Sequence, residues 1–283
     1  MKVTCIVDNT AQASSRFWGE HGLSFVIETN KGRVLFDTGQ SGTVLLHNLQ
    51  VAGIEPASID AVALSHAHRD HTGGLSVLLQ QTGVVPLYAH PDLFRERFSR
   101  RDAGIEKIGP PMGREDLLRR ADLHLNDRPQ EIFPEVYTTG EISSRPEFEG
   151  RSARHLIREG NRWVADPYHD DMALVLIAAE GLAVVCGCCH AGLLNTLQHV
   201  RTTFDREVVL VLGGMHLGDM NEEQMQHIVQ ALQSYGEPRL YPNHCTGQRA
   251  YVALAAAFSN CVAPCPAGTE LVFQTPTLLD GDR

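Results

Sequence analysis

The stretch Leu64-Ser65-His66-Ala67-His68-Arg69-Asp70-His71-Thr72-Gly73-Gly74 carries three imidazoles and one carboxylate within six consecutive positions. An apolar run at 61–65 predicts a buried strand that leads into this stretch. The glycine pair at its end, followed by leucines at helical spacing, predicts that a helix begins there. The sequence therefore predicts a strand-to-helix turn that holds a cluster of metal-binding side chains.

Four side chains of this turn are candidate ligands. His66 and His68 are two positions apart and can converge on one ion, whereas Asp70 and His71 face across the turn toward a second ion. Chance clustering of surface residues is the alternative, because the chain has 14 histidines. Three histidines buried for a structural purpose would need a partner for every ring nitrogen, which favours metal binding. Neutral imidazole suits zinc, and imidazole with carboxylate also suits iron or manganese.

The composition limits the partners that we expect. Asp and Glu outnumber Lys and Arg by 34 to 24, which gives a formal net charge of −10. A field of this sign repels nucleic acid and anionic membranes, so we expect neither as a partner. With 43% hydrophobic residues and no linker-like stretch, the chain is predicted to form a single domain, 1–283. The oligomeric state is not predicted.

The N-terminus and the cysteines indicate a cytoplasmic protein. The apolar run before Asp8 is too short for a signal peptide, and no stretch approaches eighteen apolar residues. The chain has seven cysteines, an odd number, and Cys186, Cys188 and Cys189 are bunched together. This pattern argues against a secreted disulfide framework.

Alternating apolar residues predict strands along most of the chain. A β-hairpin is predicted at 23–28 and 33–36, and Ser41 is predicted to cap a helix that runs to Val51. Strands at 173–178 and 183–186 are predicted in the second half.

The segment 91–130 interrupts this regular order. It begins with a helix predicted at Asp92–Phe98, is rich in arginine and contains the break Gly109-Pro110-Pro111. We interpret the segment as an inserted cap over the cleft, with one or two arginines that meet an anionic substrate group. A solvated helical face is the alternative account for most of these charges.

Three later strands also end in turns that contain a histidine. His190 can complete the first ion, which would give three protein ligands and an open position, as in catalytic metal sites. His244 arrives at the same edge and can complete the second ion. His216 either lines the pocket or caps the next helix. Cys188 and Cys189 are interpreted as small apolar filling beneath the turn.

The motif and five other pieces of the chain, taken in order, resemble the metallo-β-lactamase superfamily. The similarity is to the branch of metal-dependent hydrolases labelled 7,8-dihydropterin-6-yl-methyl-4-(β-D-ribofuranosyl)aminobenzene-5′-phosphate synthase-like. The other pieces are Glu20-His21-Gly22-Leu23-Ser24, Leu35-Phe36-Asp37-Thr38-Gly39, Gly187-Cys188-Cys189-His190-Ala191-Gly192, Gly213-Gly214-Met215-His216-Leu217 and His244-Cys245-Thr246-Gly247. The resemblance implies an α/β fold, a four-layer αββα sandwich of two mixed β-sheets with a metal site along one edge.

The resemblance also implies roles for residues near the ligands. Asp37 lies in the Asp-Thr-Gly piece that is usually beneath the metal ligands, so it would orient a ligand histidine; the alternative is a simple turn cap. The superfamily's usual third histidine would fall near His169, but His190 is preferred and His169 comes second. The usual bridging aspartate falls on Cys188, where we favour a buried thiol over a soft metal ligand.

The chemistry that follows is hydrolysis of a small anionic ester, lactone or phosphoester by a metal-activated water. Asp70 would orient this water or accept its proton. One or two zinc ions are expected, with manganese or iron as alternatives. Two other function classes stay open. The first is a synthase-type transferase that joins a pterin to a ribofuranosylaminobenzene phosphate, and the second is a non-catalytic protein that binds a metal or ligand.

Overall fold

The computed structural model describes residues 1–276, which contain 17 strands and seven α-helices. The strands are β1 (Lys2–Val7), β2 (Ser24–Glu28), β3 (Arg33–Phe36), β4 (Ala61–Ala63), β5 (Val85–Ala89), β6 (Arg97–Arg101), β7 (Gly104–Lys107), β8 (Ala121–Leu125), β9 (Glu131–Phe133), β10 (Val136–Thr138), β11 (His155–Glu159), β12 (Arg162–Ala165), β13 (Ala173–Ala178), β14 (Gly181–Cys186), β15 (Val208–Gly214), β16 (Arg239–Asn243) and β17 (Glu270–Val272). The helices are α1 (Gly42–Val51), α2 (Arg69–Thr72), α3 (Leu75–Thr82), α4 (Arg114–Leu118), α5 (Leu193–Phe204), α6 (Glu222–Ser234) and α7 (Gln248–Ala257). Short 3₁₀ turns occur at Pro56–Ser58, Pro91–Phe94 and His244–Thr246.

Two mixed sheets form the body of the molecule. The first has the strand order β17-β1-β2-β3-β4-β5-β8 and is parallel from β3 to β8. The second has the order β16-β15-β14-β13-β10-β9 and is parallel from β14 to β16. In both sheets the parallel strands deliver their carboxyl ends to one edge, and the motif turns follow there.

The alternation along the strands divides the core into layers. Phe25 on β2 belongs to the core between the sheets together with Leu174 of β13, while its neighbour Val26 belongs to the core beneath the helices on the other side. Helices α1 and α3 cover the outer face of the first sheet, and α5, α6 and α7 cover that of the second. The predicted four-layer αββα sandwich is therefore confirmed.

A third sheet of four strands, in the order β12-β11-β6-β7, lies beside the sandwich. Its strands come from two separate places in the chain, 97–107 and 155–165. The expected cap segment 91–130 is thus divided, because 97–107 joins this third sheet whereas β8 becomes an edge strand of the first sheet. The helix predicted at Asp92–Phe98 is wrong, since a 3₁₀ turn ends at Phe94 and β6 begins at Arg97.

Within residues 1–276, every helix is too short or too polar to cross a membrane.

Candidate metal centre

The site lies where β4, β14, β15 and β16 end. The turns after these strands carry the 66–71 motif, His190, His216 and His244 respectively. Several non-glycine residues of the site adopt left-handed backbone conformations, among them Cys189 with φ 56° and both His216 and His244 with φ 46°. Such conformations are strained and cluster at functional sites, because the surrounding packing must hold them in place.

His66, His68 and His190, here called the histidine triad, converge at the base of the cleft. Each offers a ring nitrogen within 4.8 Å of the other two. His66 Nε2 and His68 Nδ1 are 2.9 Å apart. All three side chains are buried. This geometry is that of three nitrogen ligands around one small cation.

Asp70, His71 and His244, here called the Asp70 triad, form the neighbouring group. His71 Nε2 lies 3.2 Å from His244 Nε2, and Asp70 Oδ2 lies 3.3 Å from His244 Nε2 and 3.7 Å from His71 Nε2. Two ligands of a tetrahedral zinc ion stand about 3.3 Å apart when each bond is about 2.0–2.1 Å. The separations in the Asp70 triad match this spacing.

Partners on the outer side of the rings turn the inner nitrogens toward the cluster. His66 Nδ1 lies 2.8 Å from Ser65 Oγ, and His71 Nδ1 donates to Asp37 Oδ2 at 2.7 Å. His190 Nδ1 donates to the Gly150 carbonyl at 2.9 Å, and His244 Nδ1 lies 3.0 Å from Asn9 Oδ1. Outer partners of this kind fix the tautomer and orientation of metal-binding histidines. The residues present therefore fit a divalent metal.

Asp37 connects the two triads from below. Its buried carboxylate accepts hydrogen bonds from the Ser65 backbone N–H and the Ser65 hydroxyl, both at 2.7 Å, as well as from His71. Through Ser65 it also reaches His66. The structure thus places Asp37 where an orienting residue would be, rather than at a solvated turn.

The electrostatics of the two triads differ. Burial and the neighbouring imidazoles lower the pKa of His66, His68 and His190 well below the usual value, so these rings are neutral and free to bind a cation. For His71 burial acts in the same direction, but the Asp37 and Asp70 carboxylates outweigh it and raise the pKa to about 9. Burial opposes the charge on Asp70, yet His71 and its other histidine neighbours hold the pKa of this carboxyl well below its usual range.

The remaining predicted residues are placed differently. His216 lines the cleft near Cys188 and His190. His169 is half exposed outside the cleft, where Nδ1 pairs with Glu141 at 2.7 Å, so the structure does not bring it to either triad. Cys188 is buried, as expected for a thiol that fills space, and its Sγ lies 3.2 Å from His71 Nε2 at the lining of the cleft. Its role as filling or as a metal ligand stays a prediction.

The cleft above the triads encloses about 620 Å³. Its mouth carries positive side chains from the motif and from the third sheet, namely Arg69, Arg101 and Lys107. Arg101 is paired with Glu106 at 2.9 Å and Lys107 with Glu96 at 2.8 Å. Part of the arginine-rich segment, 99–108, therefore borders the cleft, and its role as a cap that meets a substrate stays a prediction.

Several residues of the site were not predicted from the sequence. His21 Nε2 lies 3.2 Å from Asp70 Oδ2, and Cys245 offers a sulfur beside Cys188 and His244. Both lie inside motif pieces quoted above, which was the available signal. His155 also lines the cleft, and Tyr168 stacks on His190 with ring centroids 4.4 Å apart. No motif marks either residue.

Comparisons with known proteins agree with this geometry. The family model of the Metallo-beta-lactamase superfamily matches residues 18–188. Over 272 residues the chain is 33% identical to the 7,8-dihydropterin-6-methyl-4-(beta-D-ribofuranosyl)-aminobenzene-5'-phosphate synthase of Methanocaldococcus jannaschii, with 88% of this chain and 89% of that protein covered.

Solved structures show the same fold. Tm1679, described as a metal-dependent hydrolase of the beta-lactamase superfamily, matches with a TM-score of 0.83 and 26% identity over 97% of this chain and 99% of that chain. YhfI from Bacillus subtilis, a metallo-beta-lactamase fold protein, has a TM-score of 0.57 and 15% identity over 95% of this chain and 98% of its own. The chain belongs to the metallo-beta-lactamase superfamily.

Proposed function

We propose that this protein is a metal-dependent hydrolase that acts on a small anionic ester, lactone or phosphoester. The observation that carries the proposal is the convergence of two ligand triads at the base of one cleft, with four of the five histidine rings held by an outer partner. The likeness to Tm1679 supports the hydrolase class. A location in the cytoplasm belongs to the same proposal, supported by seven cysteines that are all free thiols.

The histidine triad would hold one ion, and the Asp70 triad would hold a second. Zinc suits the histidine triad, while the carboxylate of Asp70 also allows manganese or iron in the second position. A divalent ion held by these donors supplies Lewis acidity, which polarises the oxygen under attack and makes water a nucleophile near neutral pH.

The residues of the chain supply orientation and charge. Asp70 is held ionised by its histidine neighbours, which suits it to bind and orient groups in the cleft better than to accept a proton at neutral pH. Arg69 and Lys107 border the opening and favour a substrate that carries phosphate or carboxylate. The third sheet contributes part of the cleft lining, including Ser99, Lys107 and His155.

A synthase-type reaction is the second candidate, and the 33% identical relative from Methanocaldococcus jannaschii favours it. In that case the cleft would bind a ribofuranosylaminobenzene phosphate and join it to a dihydropterin. The two candidates share the metal centre and the anion-binding mouth, so only their products separate them.

A substrate screen tests the proposal. Purified protein with added zinc or manganese would be assayed on 4-nitrophenyl phosphate, bis(4-nitrophenyl) phosphate, a lactone and a thioester. We expect hydrolysis of at least one class, loss of that activity with a chelator and with His68→Ala, and no loss with His124→Ala, a histidine at the surface away from the cleft. Condensation of a dihydropterin substrate, detected by mass spectrometry, without any hydrolysis would favour the synthase. Absence of both would leave a binding protein.

A further inference from the structure

His155 is a cleft residue that belongs to neither triad. It begins β11 in the third sheet and pairs in register with Ser99 of β6, which itself pairs with Glu106 of β7. All three line the cleft, so this row of the sheet faces the metal centre. The His155 ring lies 4.7 Å from that of His68, measured between centroids.

The hydrogen bond to Tyr168 fixes which ring nitrogen of His155 carries the proton. Tyr168 is buried, and its hydroxyl oxygen accepts a hydrogen bond from the Ser152 backbone N–H at 3.2 Å. Its own proton then needs an acceptor, and His155 Nδ1 lies 2.9 Å away. A buried hydroxyl proton without a partner would be costly, so Nδ1 accepts and Nε2 carries the ring proton.

The tyrosine that sets this tautomer is itself held in place. Its ring stacks on His190 with an interplanar angle of 7°, and its backbone N–H donates to Asp166 Oδ1 at 2.9 Å. The donor at His155 is therefore oriented before any substrate binds. Fixed donors aimed at a site of developing negative charge are among the most effective catalytic groups.

His68 does not accept a hydrogen bond from the Nε2–H of His155. Its Nδ1 faces His66, so when Nδ1 binds a cation the ring proton of His68 is on Nε2. His68 Nε2 is buried without a hydrogen-bond partner among the described residues. Two ring N–H groups cannot pair with each other, so His68 leaves the N–H of His155 for a group in the cleft.

We propose that His155 Nε2 donates a hydrogen bond to an anionic oxygen of the bound substrate, a phosphate or carboxylate oxygen next to the histidine triad. The inference rests on the proposed function and names a residue that contacts the substrate. It also assigns Tyr168 as a positioning residue, which acts only through the tautomer of His155.

The tautomer can be tested without any substrate. In zinc-loaded protein labelled with ¹⁵N-histidine, the NMR signals of His155, assigned by their loss in His155→Ala, should show a protonated Nε2 and an unprotonated Nδ1. Tyr168→Phe should weaken this preference. A protonated Nδ1 with unprotonated Nε2 in the wild type would overturn the inference.

Binding of inorganic phosphate to the zinc-loaded protein tests the contact itself, by calorimetry. Because His155→Ala removes a hydrogen bond to a charged group, we expect the dissociation constant for phosphate to rise about 10- to 100-fold. His155→Gln retains an N–H donor and should recover part of the affinity, and Tyr168→Phe should lose less than His155→Ala. Zinc content should stay at the wild-type level in all variants, and His124→Ala serves as the matched control.

Equal phosphate affinity in His155→Ala and wild type, with zinc retained, would overturn the inference, as would the absence of phosphate binding to the wild type. These outcomes are distinct from failure of the proposed function, because they do not depend on turnover. A protein that binds phosphate through His155 but hydrolyses none of the screened compounds would support this inference and contradict the hydrolase proposal.

Discussion

The two triads stand side by side but are built from different chemistry. The histidine triad consists of three buried, neutral imidazoles, whereas the Asp70 triad combines a carboxylate with two histidines and lies next to the exposed His21. The rings of the histidine triad carry no proton that a cation must displace. At the Asp70 triad a cation must compete with the proton that Asp37 and Asp70 stabilise on His71. Under the proposed function we therefore expect a tightly held ion in the histidine triad and a weaker, exchangeable one in the Asp70 triad.

The support beneath the histidine triad should show the largest effect on stability. Arg97 is fully buried, lies 3.0 Å from Asp166, and donates to Asp170 at 2.6 Å. Asp170 in turn accepts from the Ala67 backbone N–H between the two motif histidines. Arg97→Ala leaves two buried carboxylates without their cation, so we expect a loss of about 3–5 kcal/mol in the free energy of unfolding, measured with urea.

Arg101→Ala is the matched control for this change. Arg101 belongs to the same strand, but its pair with Glu106 is exposed, so its removal should cost less than about 1 kcal/mol. Similar losses in the two variants would contradict the idea that buried ions brace the histidine triad.

Substitution of Asn9, the outer partner of His244, should affect the Asp70 triad and not the histidine triad. Asn9 contacts His244 through Nδ1 and also donates to its backbone carbonyl at 3.2 Å, and it contacts no member of the histidine triad. Asn9→Ala should lower the affinity of the second ion about 10- to 100-fold and leave the first unchanged. Competition with a chromophoric chelator measures the binding of the first and the second ion separately. Equal weakening of both steps would show that the triads act as one unit.

The acid that braces the turn of His190 should give an effect that is visible only as a change with pH. Burial raises the pKa of Asp171 to about 7, against an ordinary value of 3.8, while its Oδ2 accepts from the Ala191 N–H at 2.8 Å. The folded state therefore binds this proton more tightly than the unfolded state. The stability from Asp171 is complete below about pH 4 and is lost as the pH rises through about 7.

Asp171→Asn removes this titration. In metal-free protein, the variant should gain stability relative to wild type between about pH 4 and 7, with a slope of at most about 1.4 kcal/mol per pH unit. Unfolding in urea at several pH values measures the slope. A stability difference that is constant over this range would mean that Asp171 has a similar pKa in both states.

Local signals predicted much of the sandwich. The hairpin of β2 and β3, the Ser41 cap of α1 and the full extent of β13 follow from alternation, turn residues and caps that act over a few positions. The third sheet was not predicted, because β6 forms around a buried ion pair between Arg97 and residues about 70 positions away. A helical pattern at 92–98 could not compete with that long-range contact.

The site shows the same division. Its histidines follow strands that end at one edge, so their convergence was predicted from position along the chain, and the structure brings them together. His155 and Tyr168 sit on the third sheet and on the loop after it, in no motif, and their relation to His190 depends on how that sheet packs. The filling role of Cys188 was inferred from its residue type. The direction of its thiol, toward His71, depends on the local backbone, where the next residue, Cys189, is left-handed.

The central claim is that two triads hold two ions of unequal affinity. Elemental analysis of purified wild type, His66→Ala and His244→Ala, after dialysis against a weak chelator, tests it directly. We expect His66→Ala to lose the tightly held ion, and His244→Ala to keep it while failing to bind a second ion when metal is added back. If both variants retain the full metal content of the wild type, the assignment of the triads is wrong.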